Sequence, residues 1–441
     1  MIARLLTVLT YWIALQDFVC SILYNMGIPT PVLQVILVSK ELLVIVVFTY
    51  LFFSKVRFPE ARKKFPLYGF VFIGIVCVFF FVGDAPFQAK IASARMFSLP
   101  LLLSFLGFWG IDSPEELNDY LEHVFRCSIL VAVFGLIEYF LLPLSFWVDT
   151  VPLFTFMQKV KFGVDDPADG TEIFGNLYGD YGFGYMAVRR LISFFGSPLS
   201  TAYFLFFSVV VSFVLVSISD KRKVGGGSRR TLGGIVCLLA LFLTFTRAVL
   251  IPLIVIMAYH FGRKRKRVAV ALGALVLILI LIFVDLKAVY ESLFEDASAV
   301  QHAAQLVSAY EEFIQRPWGN GLGTAGAWAI RFFPDALGTE SSTLTLLIQV
   351  GVEGLVVFAV FWYRLMANGL KAAKNFGGTD GPAFRQILIY TSIGYLITAV
   401  ISEQIFTFTS ISFYWIFLGS ISGLGAKTVS YNKEGEVRHS D

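Results

Sequence analysis

From Thr231 to Phe261 the chain runs for about thirty apolar residues, broken by a single charge at Arg247, with basic sequence at both ends. Upstream stands Ser219-Asp-Lys-Arg-Lys-Val-Gly-Gly-Gly-Ser-Arg-Arg230, and downstream Gly262-Arg-Lys-Arg-Lys-Arg267. A single membrane span would leave one basic cluster outside, against the positive-inside rule. A hairpin of two short spans keeps both clusters in the cytoplasm. Each arm is then roughly 15 residues, or about 22 Å of helix, against a hydrocarbon core of about 30 Å. The apex, Thr244-Phe-Thr-Arg247-Ala248, is therefore expected to sit below the outer surface. An arginine there either faces a polar cavity and marks a functional site, or extends outward to the lipid headgroups.

Composition generalises this reading. Of 441 residues, 57% are hydrophobic and 15% charged, with a mean hydropathy of +0.75. A soluble domain of this length does not have such a composition. Cys20, Cys77, Cys127 and Cys237 lie in apolar stretches without metal-ligand spacing and read as packing residues. His123, His260, His302 and His439 are scattered. No H-E-x-x-H, Walker A or Rossmann glycine signature stands in a fitting context, which argues against an ATP-driven pump or a soluble-type oxidoreductase.

Apolar runs place about twelve spans, at 5–26, 32–53, 67–83, 96–110, 120–142, 198–218, 231–245, 248–261, 269–284, 342–363, 386–403 and 411–425. The N-terminus lacks a small-residue cleavage site and reads as the first span. With both termini inside, cytoplasmic segments hold 23 of the 35 Lys and Arg residues and outer segments 10, with Lys40 and Arg126 inside spans. This bias supports an N-in, C-in topology. It also explains the net charge of +4, which therefore gives no argument for nucleic acid. The expected fold is an all-α polytopic membrane protein. Its parts are N-terminal helices (1–142), a first long outer loop (143–197), central helices with the Arg247 hairpin (198–284), a second long outer loop (285–341), and C-terminal helices with a cytoplasmic tail (342–441).

The two long loops are where function is expected. The first contains Asp165-Asp-Pro-Ala-Asp-Gly170, which lacks the spacing of a calcium loop and reads as a solvated turn. It continues through an aromatic and glycine-rich stretch, Gly175 to Tyr185, and ends in Arg189-Arg190-Leu-Ile-Ser193-Phe-Phe195-Gly-Ser-Pro198. Two adjacent outer arginines run against the topological trend. The second loop has helical spacing from Val300 to Gln315, stops at Arg316-Pro317, and enters Trp318-Gly-Asn-Gly-Leu-Gly-Thr-Ala-Gly326. Such a turn either cradles phosphate through its N–H groups or is a plain tight turn. It closes on Glu340-Ser341-Ser342, where the serines are helix-capping candidates and Glu340 suits the helix dipole or a chemical role.

Three stretches resemble the O-antigen polymerase and ligase superfamily. They are Arg190-x-x-Ser193-x-Phe195-x-x-Pro198, then Thr244-Phe-Thr-Arg247-Ala, and the block from Arg316 to Gly326 followed by Glu340-Ser-Ser-Thr-Leu-Thr-Leu-Leu-Ile-Gln-Val-Gly351-Val-Glu-Gly354. The resemblance covers about residues 180–365. It implies a GT-C-like membrane enzyme that joins undecaprenyl-diphosphate-linked repeat units on the outer face of the inner membrane by inverting glycosyl transfer. Ligases of this family often carry histidine where this chain has Glu340, which favours a polymerase over a ligase that hands the glycan to a lipid core or other acceptor. The implied partners are the lipid-linked glycan, membrane lipid, a chain-length regulator and a flippase.

In that chemistry cations hold the leaving diphosphate. Arg247, Arg190, Arg189 and Arg316 are the candidates, because a guanidinium binds phosphate oxygens in pairs and stays charged. Glu340 is the first candidate for the base that activates the acceptor hydroxyl, and His302 the second. Ser341 lies beside Glu340 as a substrate-binding candidate. No metal or cofactor is expected. A secondary transporter is the competing class, with Lys40-Glu41 and Glu403 as its ionisable groups, although Lys40 and Glu41 also read as a polar pair inside the bundle. A scaffold protein is the third class.

Overall fold

The computed structural model describes residues 2–55, 66–161, 177–179, 188–219, 226–264 and 297–438. The expected span at 269–284, the Asp165–Gly170 turn and most of Gly175–Tyr185 lie outside the described residues. Those residues form a helical bundle whose long helices are α1 (Ile2–Asn25), α2 (Thr30–Lys55), α3 (Pro66–Phe80), α4 (Phe87–Gly110), α5 (Pro114–Leu141), α6 (Pro198–Ser219), α7 (Gly226–Leu243), α8 (Arg247–Lys264), α9 (Ala297–Gln315), α10 (Ser342–Asn375), α11 (Asp380–Ile401) and α12 (Phe408–Arg438). The described sheet is one two-residue hairpin pairing Tyr178 with Arg189.

Eight helices are long and apolar enough to cross a membrane: α1, α2, α4, α5, α6, α10, α11 and α12. The protein is thus an all-α, multi-pass membrane protein. Helices α3 and α8 carry shorter apolar segments. Helices α7 and α8 meet at Thr244–Thr246, where the sequence places the apex of the apolar run. Helix α9 is the expected helix before Arg316-Pro317.

Local sequence sets several helix ends. Ser113-Pro-Glu-Glu116 starts α5: the Ser113 hydroxyl accepts from Glu116 N at 3.2 Å, and the Glu116 carboxylate accepts from Asp112 N at 2.9 Å. This is a reciprocal cap with acidic residues in the first turn. Ser341 caps α10 in the same way, accepting from Leu344 N at 3.3 Å.

Helix α4 begins nine residues before the expected span at 96. Lys90, Ser93 and Arg95 interrupt the apolar run, so a hydropathy window ends there. Arg95 faces a cavity instead of lipid, and the helix continues through it to Phe87. Helices α4 and α12 then pack backbone to backbone. A Cβ on Gly419 would run into Ser104 O, one on Gly423 into Phe108 O, and one on Gly107 into Ile416 O. Small residues that admit such close approach replace the hydrophobic driving force that helices lack inside lipid.

Helix α10 is broken at Gly351, whose φ of 69° and ψ of −175° are not helical. The break falls inside the expected span 342–363, and the helix resumes beyond it and continues to Asn375. The break has a partner. Asn320 N donates to Ile348 O at 2.7 Å, Gly321 N to Gln349 O at 3.1 Å, and Val352 N to Pro317 O at 3.0 Å. The glycine-rich turn is therefore inserted into the break and satisfies the backbone groups that the missing helical bonds release. A Cβ on Gly351 would lie 2.6 Å from the Trp318 carbonyl carbon.

Both loops gather at one end of the bundle. Asn25 Nδ2 donates to Thr150 O at 3.0 Å, Leu322 N to Phe79 O at 3.1 Å, and Leu191 N to Leu243 O at 2.9 Å. We refer to this end as the loop face.

Candidate functional site

Three groups of polar side chains collect at the loop face. The first is the arginine turn. Arg190 N donates to Leu177 O at 2.7 Å, which fixes the backbone. The guanidinium then reaches the turn between α7 and α8, donating from Nε to Thr244 O at 2.9 Å and from Nη2 to Thr246 Oγ1 at 3.1 Å. Arg247 follows Thr246 directly as the first, exposed residue of α8. Two arginines 57 positions apart in sequence thus meet on one turn. Among the described residues, the non-glycine positions with positive φ are Ser193 (49°) and Phe245 (48°). Each stands within three residues of one of these arginines. Such conformations cost about 1–3 kcal/mol apiece and persist only where the surroundings hold them. Ser193 is held by donating to Val131 O at 2.7 Å.

The second group surrounds Glu403, in the turn Glu403–Phe406 between α11 and α12. Its carboxylate accepts from Ala327 N at 2.9 Å and from Thr345 Oγ1 at 2.8 Å. Burial pushes its pKa up to about 7, against the downward pull of these two bonds and of Arg331, while nearby Glu340 adds a small upward push. Gly326 makes the approach possible, because a Cβ there would collide with Glu403 Oε1. Glu403 thereby ties the turn Ala327–Ile330 to the helix bundle. On that turn Arg331 stacks over the Trp328 ring at 4.4 Å.

The third group lines a cavity of about 450 Å³ between α2, α4 and the loops. Its charged walls are Lys40 and Glu41 on α2, Arg95 on α4, and Lys161; Trp328 and Phe332 also line it. Glu41 pairs with Arg95 at 3.2 Å, and Lys161 with Asp17 of α1 at 2.6 Å. Lys40 and Glu41 do not pair with each other, since adjacent helix positions point apart. The Lys40 ammonium instead lies 5.8 Å from the Phe408 ring centroid.

The residues expected from sequence are distributed unevenly over these groups. Arg190 and Arg247 come together. Arg189 is committed elsewhere: it forms a 2.6 Å ion pair with Glu138, which is fully buried, and also donates to Leu142 O at 3.1 Å. Trp147 Nε1 and Ile192 N donate to the same carboxylate. Arg189 therefore anchors the first loop to α5 and is not free to clamp phosphate. Arg316 is exposed at the end of α9. Glu340 is exposed just before the Ser341 cap. Ser341 is buried and occupied as a cap. His302 lies on α9, with its side chain outside the described residues.

The glycine-rich turn does not serve as a phosphate cradle. Gly319 N donates to Arg316 O and Gly323 N to Gln349 Oε1, and the N–H groups of Asn320, Gly321 and Leu322 are used by the α10 break and by Phe79 O. The plain structural alternative holds, because the five consecutive donors from Gly319 to Gly323 already have partners. The reading from sequence did not single out Arg95, Lys161, Asp17 or Glu138. Arg95 had a usable signal: Pro86 just before Phe87 marks a helix start upstream of it. In comparisons with known proteins, no protein-family model and no curated protein matches the chain.

Proposed function

We propose that this protein is a membrane glycosyltransferase that polymerises glycan repeat units carried on a polyprenyl diphosphate, with its reaction centre at the loop face. The observation that carries this reading is the arginine turn. The Arg190 guanidinium is bonded to Thr244 and Thr246, the residues that lead into Arg247, and the positive-φ residues Ser193 and Phe245 stand close by in sequence. Two arginines at one turn suit a diphosphate leaving group, whose charge grows as the glycosidic bond breaks. The donor's own diphosphate linkage supplies the driving force, so no nucleotide is required on that side. Glu340 has an exposed carboxylate at the same face, suited to accept the proton of the attacking sugar hydroxyl. In this reading about twelve spans run N-in and C-in, and the loop face is the outer face of the cytoplasmic membrane.

The test is reconstitution of the purified protein with a lipid-linked repeat unit, followed by product length on a gel. Chain growth that is lost in Arg190→Ala and Arg247→Ala supports the reading. Absence of any glycan product from well-folded wild-type protein, given several lipid-linked donors, overturns it.

One observation favours a second reading, secondary transport. Lys40, Glu41 and Arg95 place charge inside membrane-length helices around one cavity, and charged residues at such positions often mark solute paths. Solute flux in proteoliposomes without glycan synthesis would select it.

A further inference from the structure

We propose that the cavity between α2 and α4 binds the phosphate-bearing headgroup of a lipid that enters from the bilayer between Val38 and Ile91. The charges point to an anion. Around the cavity, Glu41 is matched by Arg95 and Asp17 by Lys161. Lys40 is the surplus cation. It is 4% exposed, and among the described residues its ammonium makes no ion pair. A buried cation is costly unless an anion neutralises it. Arg95 keeps a side chain that is 46% exposed, with donors beyond the single bond to Glu41.

The walls point to a lipid. Val38 on α2 and Ile91 on α4 both line the cavity, yet are 41% and 44% exposed at the bundle surface. In a membrane-spanning bundle that surface meets acyl chains, so these two residues flank a lateral opening. Leu37, Met96 and Leu99 continue an apolar wall inward from it. The volume falls in the usual range for small-molecule sites. None of the arginine-turn residues lines this cavity, so the two cationic places are built from different helices.

This inference rests on the proposed function only for the identity of the lipid. Joining two lipid-linked glycans requires two phosphate-bearing lipids bound at once, and a second cationic cavity open to the bilayer gives the acceptor a place. The anion site itself stands on the geometry alone.

Purified protein in nanodiscs of neutral phosphatidylcholine can be titrated with a polyprenyl phosphate, the matching uncharged polyprenol, and inorganic phosphate or pyrophosphate, with bound lipid counted by native mass spectrometry. We expect stoichiometric polyprenyl phosphate binding that weakens at least about tenfold in Lys40→Met and Arg95→Gln. Arg126→Gln, on α5 and outside the cavity, should leave it unchanged. Val38→Trp or Ile91→Trp should block the polyprenyl phosphate; both positions are exposed, so these variants test the opening even if a Lys40 variant fails to fold. Equal binding by the polyprenol, or unchanged binding in Lys40→Met, would overturn the anion site. Inorganic phosphate that binds through Lys40 while both tryptophan variants still take up polyprenyl phosphate normally would overturn the lipid route. Lys40-dependent binding without any glycan synthesis by the protein leaves this site standing and removes the proposed function. Arg247-dependent synthesis without lipid binding in the cavity does the reverse.

Discussion

Arg189 Nη2 lies 2.6 Å from Glu138 Oε1, and the Glu138 side chain has no exposed surface. The next residue, Arg190, turns toward Thr244 and Thr246 instead. Two adjacent and chemically identical residues thus have different tasks. Removing one partner of a buried ion pair leaves the other charge uncompensated, at a cost of about 3–5 kcal/mol. Arg189→Ala should therefore lower the thermal midpoint of the detergent-solubilised protein far more than Arg190→Ala does. Arg189→Ala combined with Glu138→Leu should recover part of the loss, because no buried charge remains. If Arg190→Ala were the more destabilising change, the assignment of Arg189 as the anchor would be wrong.

Arg247→Ala should leave the protein in the membrane at normal level and reduce glycan polymerisation by about 10²–10³, the usual consequence of losing one charge-stabilising donor. Arg247→Lys should recover little, since a point charge replaces a planar two-pronged donor. Near-normal product from either variant would mean that the arginine only reaches toward headgroups.

The loop face should be accessible from outside the cell. Ser193 is unsuitable as a reporter: it is buried, with its hydroxyl bonded to Val131 O. Asp149 and Asp335 are exposed at the same face. In a protein carrying Cys77→Ser, to remove the exposed native thiol, Asp149→Cys and Asp335→Cys should react with an impermeant maleimide in intact cells. Reaction only after permeabilisation would invert the topology and remove the proposed mechanism with it.

These residues also show what the sequence made legible. The break between α7 and α8 was legible because Arg247 is the one charge that interrupts the apolar run. Helix α9 followed from its spacing. The start of α4 did not, since a hydropathy window cannot tell an arginine facing a cavity from one ending a helix. Arg189 and Arg190 looked equivalent because the partner that separates them, Glu138, stands some fifty positions upstream. The glycine-rich turn stayed ambiguous for a similar reason: whether its N–H groups are free depends on the break at Gly351, and that break is a property of the paired segments.

Glu340→Gln keeps the shape of the side chain and removes its basicity. As the base that activates the acceptor, Glu340 should lose about 10²–10⁴ in turnover when changed to Gln. Its exposure just before the Ser341 cap also allows a purely electrostatic role toward α10, which predicts at most about 1 kcal/mol of stability and nearly intact turnover. Rates measured on the purified protein separate the two. Nearly intact turnover in Glu340→Gln would move the base role to His302.

Glu403 makes stability depend on pH in a defined direction. Burial holds its folded-state pKa at about 7, above the ordinary value of 4.5. Below about pH 4.5 the carboxyl is protonated in the folded and unfolded chains alike, and its full contribution is present. Between 4.5 and about 7 the folded protein retains a proton that the unfolded chain releases, so stability falls as pH rises. Above about 7 the contribution is gone, and the fold carries a buried carboxylate held by Ala327 N and Thr345 Oγ1. Glu403→Gln is neutral throughout. Its amide oxygen can accept from Thr345, but the second bond is weakened, so the variant should be less stable than wild type near pH 5. The difference should shrink or reverse by pH 8, where only the wild type holds the buried charge. Arg331 and Glu340 act on the Glu403 charge, and their pull and push are already contained in its pKa of about 7. Thermal midpoints of both proteins at half-unit steps from pH 5 to 8 measure that difference directly, and a gap that stays constant over the range would show that Glu403 does not titrate there.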